Sequence, residues 1–281
     1  MRYLAMFLYK TKLLQFFNFT IKFDNAIIPV LGELGYDNTS KTEKWMGQIL
    51  SILLSQTKNT FVDVGVNVGQ TLIKVKKIDP NINYIGFEPN SACLFYNDVL
   101  ISKNNWKNCK IIPIGISSKT ELLTLTLYGK NYTDSSATII EDFRKDQTVY
   151  KQNNIVVGNS ELTSFLFDKK IGVLKIDVEG AESNVFEGLK PIIARDLPVI
   201  VIEVLPVYFK ENGNRYECQT ILLNEVKKLN YSILKILKNN DDTFLGLKEI
   251  ETIGINDDIK HSDYIFVPHS SKMKILKDFH N

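Results

Sequence analysis

Four carboxylates fall at the ends of apolar, β-type runs, where an open α/β sheet places its ligands. Asp63 ends Thr60–Val64 just before a glycine-bearing turn, and Glu88 closes Tyr84–Phe87. Asp177 follows the buried run Gly172–Ile176, and Glu203 ends the run Val199–Glu203 within the expected strand Val199–Val204. Around Asp63 the order Phe61-Val62-Asp63-Val64-Gly65-Val66-Asn67-Val68-Gly69-Gln70-Thr71 is strand, tight turn, helix start. Gly65 permits a sharp turn, and Gly69 lets the helix start lie close to a ligand. Glu88 lies 25 residues after Asp63, near the roughly 20-residue offset of a ribose-binding acid in dinucleotide folds. The turn lacks the Gly-x-Gly-x-x-Gly pattern that a pyrophosphate favours, and an added acid would repel one. A cationic sulfonium amino acid suits that acid better, so the local chemistry favours S-adenosylmethionine over NAD.

In the second stretch, Lys175-Ile176-Asp177-Val178-Glu179-Gly180-Ala181-Glu182, a strand releases several acids at a glycine turn. Alternation puts Lys175 and Asp177 on one side of the strand. Glu179 and Glu182 also suit a helix first turn through the dipole. Carboxylates gathered at such an edge can also act as general bases. Asp177 and Glu203, on successive strand ends, are also candidate oxygen ligands for Mg²⁺.

The elements needed to position these residues alternate along the chain as βαβ units. Helices are expected over Lys41–Leu54, Gln70–Ile78, from Ser91 as N-cap, Ala181–Arg195 and Tyr216–Leu229. Further strands are expected over Lys110–Ile116, Leu122–Tyr128, Ser232–Leu237 and Tyr264–Val267. Gly129–Ser160 is polar and without sustained period, and is expected to form a lid or wall of the acceptor site.

With VDVGVNVGQT, GFEPN, LKIDVEGAE and VIVIEV in this order, residues 57 to 210 resemble the FkbM-type S-adenosylmethionine-dependent methyltransferases. The resemblance implies a Rossmann-like class I methyltransferase fold. Its mostly parallel seven-stranded sheet has one antiparallel strand and helices on both faces, and an N-terminal helical extension is added here. It implies O-methylation of a sugar, glycan or other small hydroxylated acceptor. Asp63, Gly65, Asn67 and Gly69 would surround the donor's amino-acid end, Glu88 the ribose, and Ile116 and Ser117 the adenine. Gln70, Thr71, Pro89, Asn90 and Asp177 complete the donor set, and Asp177, Glu179 and Glu203 the catalytic set. Val66 departs from the alanine common in such motifs. An NAD-dependent oxidoreductase and a catalytically silent nucleoside-binding module are the competing readings. The expected division is 1–56 extension, 57–270 methyltransferase domain and 271–281 tail.

Composition sets the frame. Lys plus Arg total 34 against 32 acids, a net of +2, which gives no polyanion-binding signature. Nucleic acid is therefore not an expected partner, and the lack of an Asn-Pro-Pro-Tyr-like element argues against base methylation. Lys74, Lys76 and Lys77 are expected to form a solvated helix face, and His261, His269 and His280 to be surface or core residues. Cys93, Cys109 and Cys218 match no disulfide or zinc spacing, which suits a reducing cytoplasm. At the amino end, Leu4, Phe7, Leu8, Leu14 and Phe17 read as an amphipathic helix interrupted by lysines. No stretch there is long enough to span a bilayer. Packing on the domain or in a homodimer is expected of it, with peripheral contact at the inner face of the membrane as the alternative.

Overall fold

A computed structural model describes residues 2–10, 13, 16–39, 43–129, 133–140, 144, 147–209 and 213–279. The chain opens with α1 (Arg2–Lys10), the hairpin β1 (Asn18–Phe23) and β2 (Ala26–Leu31), and α2 (Lys44–Ser55). The Rossmann-like series follows: β3 (Thr60–Val64), α3 (Gln70–Ile78), β4 (Tyr84–Phe87), α4 (Ser91–Asn104) and β5 (Cys109–Ile112). Next come β6 (Gly115–Ile116), β7 (Glu121–Leu127), β8 (Lys151–Gly158), α5 (Ser160–Thr163) and β9 (Ile171–Ile176). The remainder is α6 (Glu182–Asp196), β10 (Val199–Glu203), α7 (Gly213–Lys228), β11 (Tyr231–Lys238), β12 (Phe244–Ile250), β13 (Asp263–Pro268) and α8 (Lys272–Phe279).

The main sheet has eight strands in the order β12-β11-β13-β10-β9-β3-β4-β5, one more than the resemblance implies. The five strands from β10 to β5 are parallel. β13 opposes β10 and β11, and β12 opposes β11, so two strands run against the rest. The additional strand is β12, an edge strand carrying Lys248 and Glu249; charge at an edge blunts pairing with other chains and hides the strand from an apolar pattern.

Strand order reverses between β3 and β9, which opens the ligand crevice at their carboxyl ends. Alternation along the strands divides the core into two clusters. Phe61, Tyr84, Val173 and Val201 pack with α2, α3, α4 and α8 on one face. Val62, Phe87, Ile176 and Ile202 pack with α6 and α7 on the other.

One expected strand and part of another lie outside the main sheet. The run Lys110–Ile116 breaks into β5 and β6, and β6 joins β7 and β8 in a separate three-stranded sheet ordered β6-β8-β7. β8 lies inside the polar segment 129–160, where the sequence shows no sustained period. The first helical turn of α4 is capped one residue early, by the Asn90 side chain accepting from the Ala92 N–H at 3.0 Å.

The amino-terminal region is not wholly helical, since β1 and β2 pair about the two-residue turn Asp24-Asn25. Leu14 lies outside the described residues, as does the side chain of Leu4. α2 is built into the core through Trp45, Met46, Ile49, Leu50, Leu53 and Leu54. Lys76 is buried and not part of a solvated face: its ammonium donates to the carbonyls of Ile82 and Asn108 at 2.7 and 2.9 Å. Its neighbours Lys74 and Lys77 pair with Glu43 and Asp24.

Candidate active site

The turn after β3 is held from both sides. Gly65 has φ +88°, and a Cβ there would stand 1.9 Å from the Asp177 carbonyl oxygen. Only glycine lets these two strand ends approach so closely. Asn67 is also left-handed, at φ 48°. Its N–H donates to Glu88 Oε2 at 2.7 Å, and its carbonyl accepts from Asn97 Nδ2 at 2.6 Å. The Asn90 N–H donates to the other Glu88 oxygen at 2.8 Å. Glu88 thus ties the β3 turn to the start of α4. Burial pushes its carboxyl up to about 7, against the lowering effect of these two N–H groups.

Asp63 points away from the crevice, into the layer beneath it. It shares its strand face with Phe61, is fully buried, and accepts from Tyr84 Oη and from Lys175 Nζ at 3.3 Å. Asp63 and Lys175 are paired residues in the β3–β9 register. The same ammonium lies 3.2 Å from Asp177 Oδ2. Burial alone would lower the Lys175 pKa, but Asp177 and Asp63 outweigh it and hold the group charged. Asp63 therefore acts on the site through Lys175 and Asp177.

Past Asp177 the chain turns through Glu179, left-handed at φ 42°, and Gly180 at φ 98°. The Gly180 N–H is taken by Glu182 Oε1 at 2.8 Å. Glu179 is bound twice by the long connection above it. Arg144 pairs with its carboxylate at 2.7 Å, and Thr138 Oγ1 donates to its carbonyl at 2.7 Å. Burial lifts the Glu179 carboxyl to about 7, with Arg144 opposing. Glu203 accepts from Ser262 Oγ at 3.0 Å. Burial, followed by the charges of Asp177, Asp263 and Glu179, pushes it up to about 9.

These groups surround a cavity of about 640 Å³, a volume suited to a nucleoside-sized ligand. Gly65, Asn67, Gln70, Thr71, Glu88, Pro89, Asn90 and Ile116 all reach its wall, as do Asp177, Glu179 and Glu203. Asp63, Gly69, Ser117 and Gly180 lie behind that wall. The three-stranded sheet supplies Leu125, Ile155 and Val157 as an apolar roof, and Thr133, Asp134 and Ala137–Ile139 continue it. The segment 129–160 thus walls the cavity at the carboxyl edge of the main sheet.

A second cavity of about 390 Å³ adjoins the first, and Glu43, Lys175, Asp177 and Glu203 line both. Its far wall includes Lys238, Asn239, Asp242 and Asp263, together with His261, whose Nδ1 is 2.9 Å from Asp258 Oδ1. His280 lies outside the described residues.

Among the described residues, no group of three or more His, Cys, Asp or Glu side chains is placed to hold a metal ion. Nothing among the described residues supports the expected Mg²⁺ site at Asp177 and Glu203, and the Lys175 ammonium lies 3.2 Å from Asp177 Oδ2 as a cation already paired there.

Sequence reasoning gave no role to Lys175, to Arg144, which clasps Glu179, or to the amino-terminal residues of the wall. Lys175 was legible as a charge inside an apolar strand, which in a buried β-run demands a partner. Arg144 and the amino-terminal residues Gly32, Leu34, Gly35 and Glu43 carry no local signal of their role.

A nucleoside-sized cavity at the switch point, with one acid after β4 and an acidic turn after β9, defines a class I methyltransferase type of site on an α/β fold. Residues 63–244 match the methyltransferase FkbM domain, and the chain belongs to that family. Methyltransferase 1 of Beauveria bassiana (strain ARSEF 2860) is 25% identical over 142 residues, in a match that covers 46% of this chain and 57% of that protein. The FkbM methyltransferase structure from Methylobacillus flagellatus KT aligns over 74% of this chain and 43% of its own, at 14% identity and TM-score 0.46. The SAH-bound methyltransferase PaMTH1 of Podospora anserina aligns over 72% and 76%, at 11% identity and TM-score 0.40. This chain thus spans less than two thirds of the Beauveria and Methylobacillus proteins. The structural likenesses are distant, and the family assignment rests on the domain match.

Proposed function

We propose that the protein transfers a methyl group from S-adenosylmethionine to a hydroxyl oxygen of a sugar, glycan or other small hydroxylated acceptor. The observation that carries this reading is the shared wall of the two cavities, where Asp177 and Glu203 face both a nucleoside-sized space and its neighbour. Residues 57–270 form the catalytic unit in this reading, with 1–56 packed into it and 271–281 as its tail.

The residues present fit the donor. Glu88 keeps lone pairs for two ribose hydroxyls after accepting its two backbone N–H groups. Ile116, Pro89, Leu125 and Val157 offer an apolar slot for the adenine. Gly65, Asn67, Gln70 and Thr71 border the amino-acid end, and Asp177 and Glu179 give that end the negative field a sulfonium favours. When bound, the donor supplies an electrophilic methyl group for in-line displacement.

The chain's own residues do the rest. Lys175, braced by Asp63, fixes the direction of the Asp177 carboxylate, so Asp177 is positioned to orient an acceptor hydroxyl. Glu203, pushed up to about 9, is more basic than an ordinary carboxylate, and in its ionised form, which grows as pH rises toward 9, it takes the hydroxyl proton. Glu179 closes the site from above through Arg144.

The test is release of S-adenosylhomocysteine by the purified protein with a panel of glycosides and glycans. Glycan mass spectrometry of a strain lacking the protein then identifies the acceptor by one missing methylene mass. Tight binding of NAD with no affinity for S-adenosylmethionine in calorimetry would overturn the reading in favour of a dehydrogenase.

A further inference from the structure

The amino-terminal segment turns an apolar face outward. On α1, Tyr3, Met6, Phe7 and Lys10 follow the spacing i, i+3, i+4, i+7 of one helix face, and all four are exposed. Leu8, on the opposite side, is buried against Ile21 and Val30. The stripe that ought to pack inward therefore faces away from the protein. Tyr3 is 85% exposed and Phe16 71%, and Leu13 and Phe17 continue the surface at 44% and 48%.

The charge of this segment decides what it fits. Residues 1–23 carry Arg2, Lys10, Lys12 and Lys22 and no Asp or Glu. Two copies meeting through this face would bring two such cationic segments together, which disfavours self-association. Aromatic and aliphatic groups beside lysines, with no acid, are complementary to a negatively charged lipid surface. α1 has nine residues, too few to cross a bilayer, so it would lie in the interface plane. Among the described residues no helix is long and apolar enough to cross a membrane.

The segment is also fixed to the domain. Asn104 donates to and accepts from the backbone of Ile27 at 2.7 and 2.6 Å, and Tyr96 Oη donates to the Pro29 carbonyl at 2.9 Å. The Gly32 N–H donates to the Phe17 carbonyl at 3.0 Å, and Gly32, Leu34 and Gly35 reach the wall of the larger cavity.

We infer that the exposed residues of 3–10, 13 and 16–22 form an anionic-membrane docking surface, through which the protein holds its cavity beside a bilayer. The reading does not depend on which acceptor is methylated. The test is co-sedimentation of the full chain with vesicles of phosphatidylcholine alone and of phosphatidylcholine mixed with phosphatidylglycerol. Binding to the mixed vesicles alone is expected, and it should weaken as salt rises. The variants Lys10→Glu/Lys22→Glu and Tyr3→Ser/Phe16→Ser alter exposed side chains only, and each should lower partitioning by about an order of magnitude or more. Unchanged melting curves establish that both variants fold. Equal binding to both kinds of vesicle, no binding to either, or variants that bind as well as the parent would overturn the inference. So would light scattering that shows a dimer dispersed by Tyr3→Ser/Phe16→Ser, which would assign the face to a second copy.

Discussion

Asp177 has both a structural and a chemical neighbour, since its carboxylate pairs with Lys175 and it faces both cavities. Asp177→Asn should abolish turnover while largely sparing donor affinity measured by calorimetry; retained turnover would remove its catalytic assignment. Glu88→Ala should instead act on the donor. In the proposed donor pose Glu88 accepts from the ribose, so its loss is expected to raise the donor Kd by about ten- to a hundredfold. Glu203 carries the pH dependence. Its pKa rises from 4.5 to about 9 on folding, so the folded state binds this proton more tightly than the unfolded chain does. The stability it contributes is complete below 4.5 and is lost as pH rises through about 9. Glu203→Gln should therefore melt above the parent at alkaline pH, and the gap should close toward acid. The parent's turnover is expected to rise toward pH 9, and Glu203→Gln should lose that rise. Asp63 marks where residue-level reading stopped. Its place at a strand end was legible, but its direction depends on sharing the Phe61 face, which packs under α2, α3 and α4.

The βαβ elements that hold the site were largely legible, because a buried strand of β-branched residues followed by a glycine turn admits few alternatives. Thr60–Val64, Gln70–Ile78 and Tyr84–Phe87 fall where the pattern sets them. The elements that escaped are those whose partners are distant in sequence. β8 is polar on its exposed side and pairs with β7 across the connection 128–150, so no local period announces it. β12 hides its strand character behind Lys248, Glu249 and an internal Gly246, as edge strands do. The connection between β7 and β8 is clasped to the acidic turn by Thr138 and Arg144. Thr138→Val together with Arg144→Ala should loosen this clasp. The expected result is a raised acceptor KM and faster proteolytic cleavage between residues 128 and 150, with the main-sheet melting transition unchanged.

At the scale of the whole molecule, the small net charge conceals a division of labour. Acids collect where β9 and β10 end and β13 begins, whereas cations without acids collect at the amino end. The amino-terminal region also cannot be treated as a detachable piece. Six apolar side chains of α2 lie in the main cluster, and the loop after β2 walls the larger cavity. A chain lacking residues 1–55 should lose its cooperative thermal transition; a folded, donor-binding truncation would contradict this. The roof is different in kind. Leu125, Leu127, Ile155 and Val157 form a cluster of their own, separate from the two layers that sandwich the main sheet. Small independent cores of this type open as units at lower free energy than the global transition. Amide hydrogens of β7 and β8 should therefore exchange together, earlier than those of β3 and β9. The spent nucleoside would then depart by a hinged lift of the roof while the main sheet stays protected, coupling turnover to the exchange rate of fifteen residues in two strands.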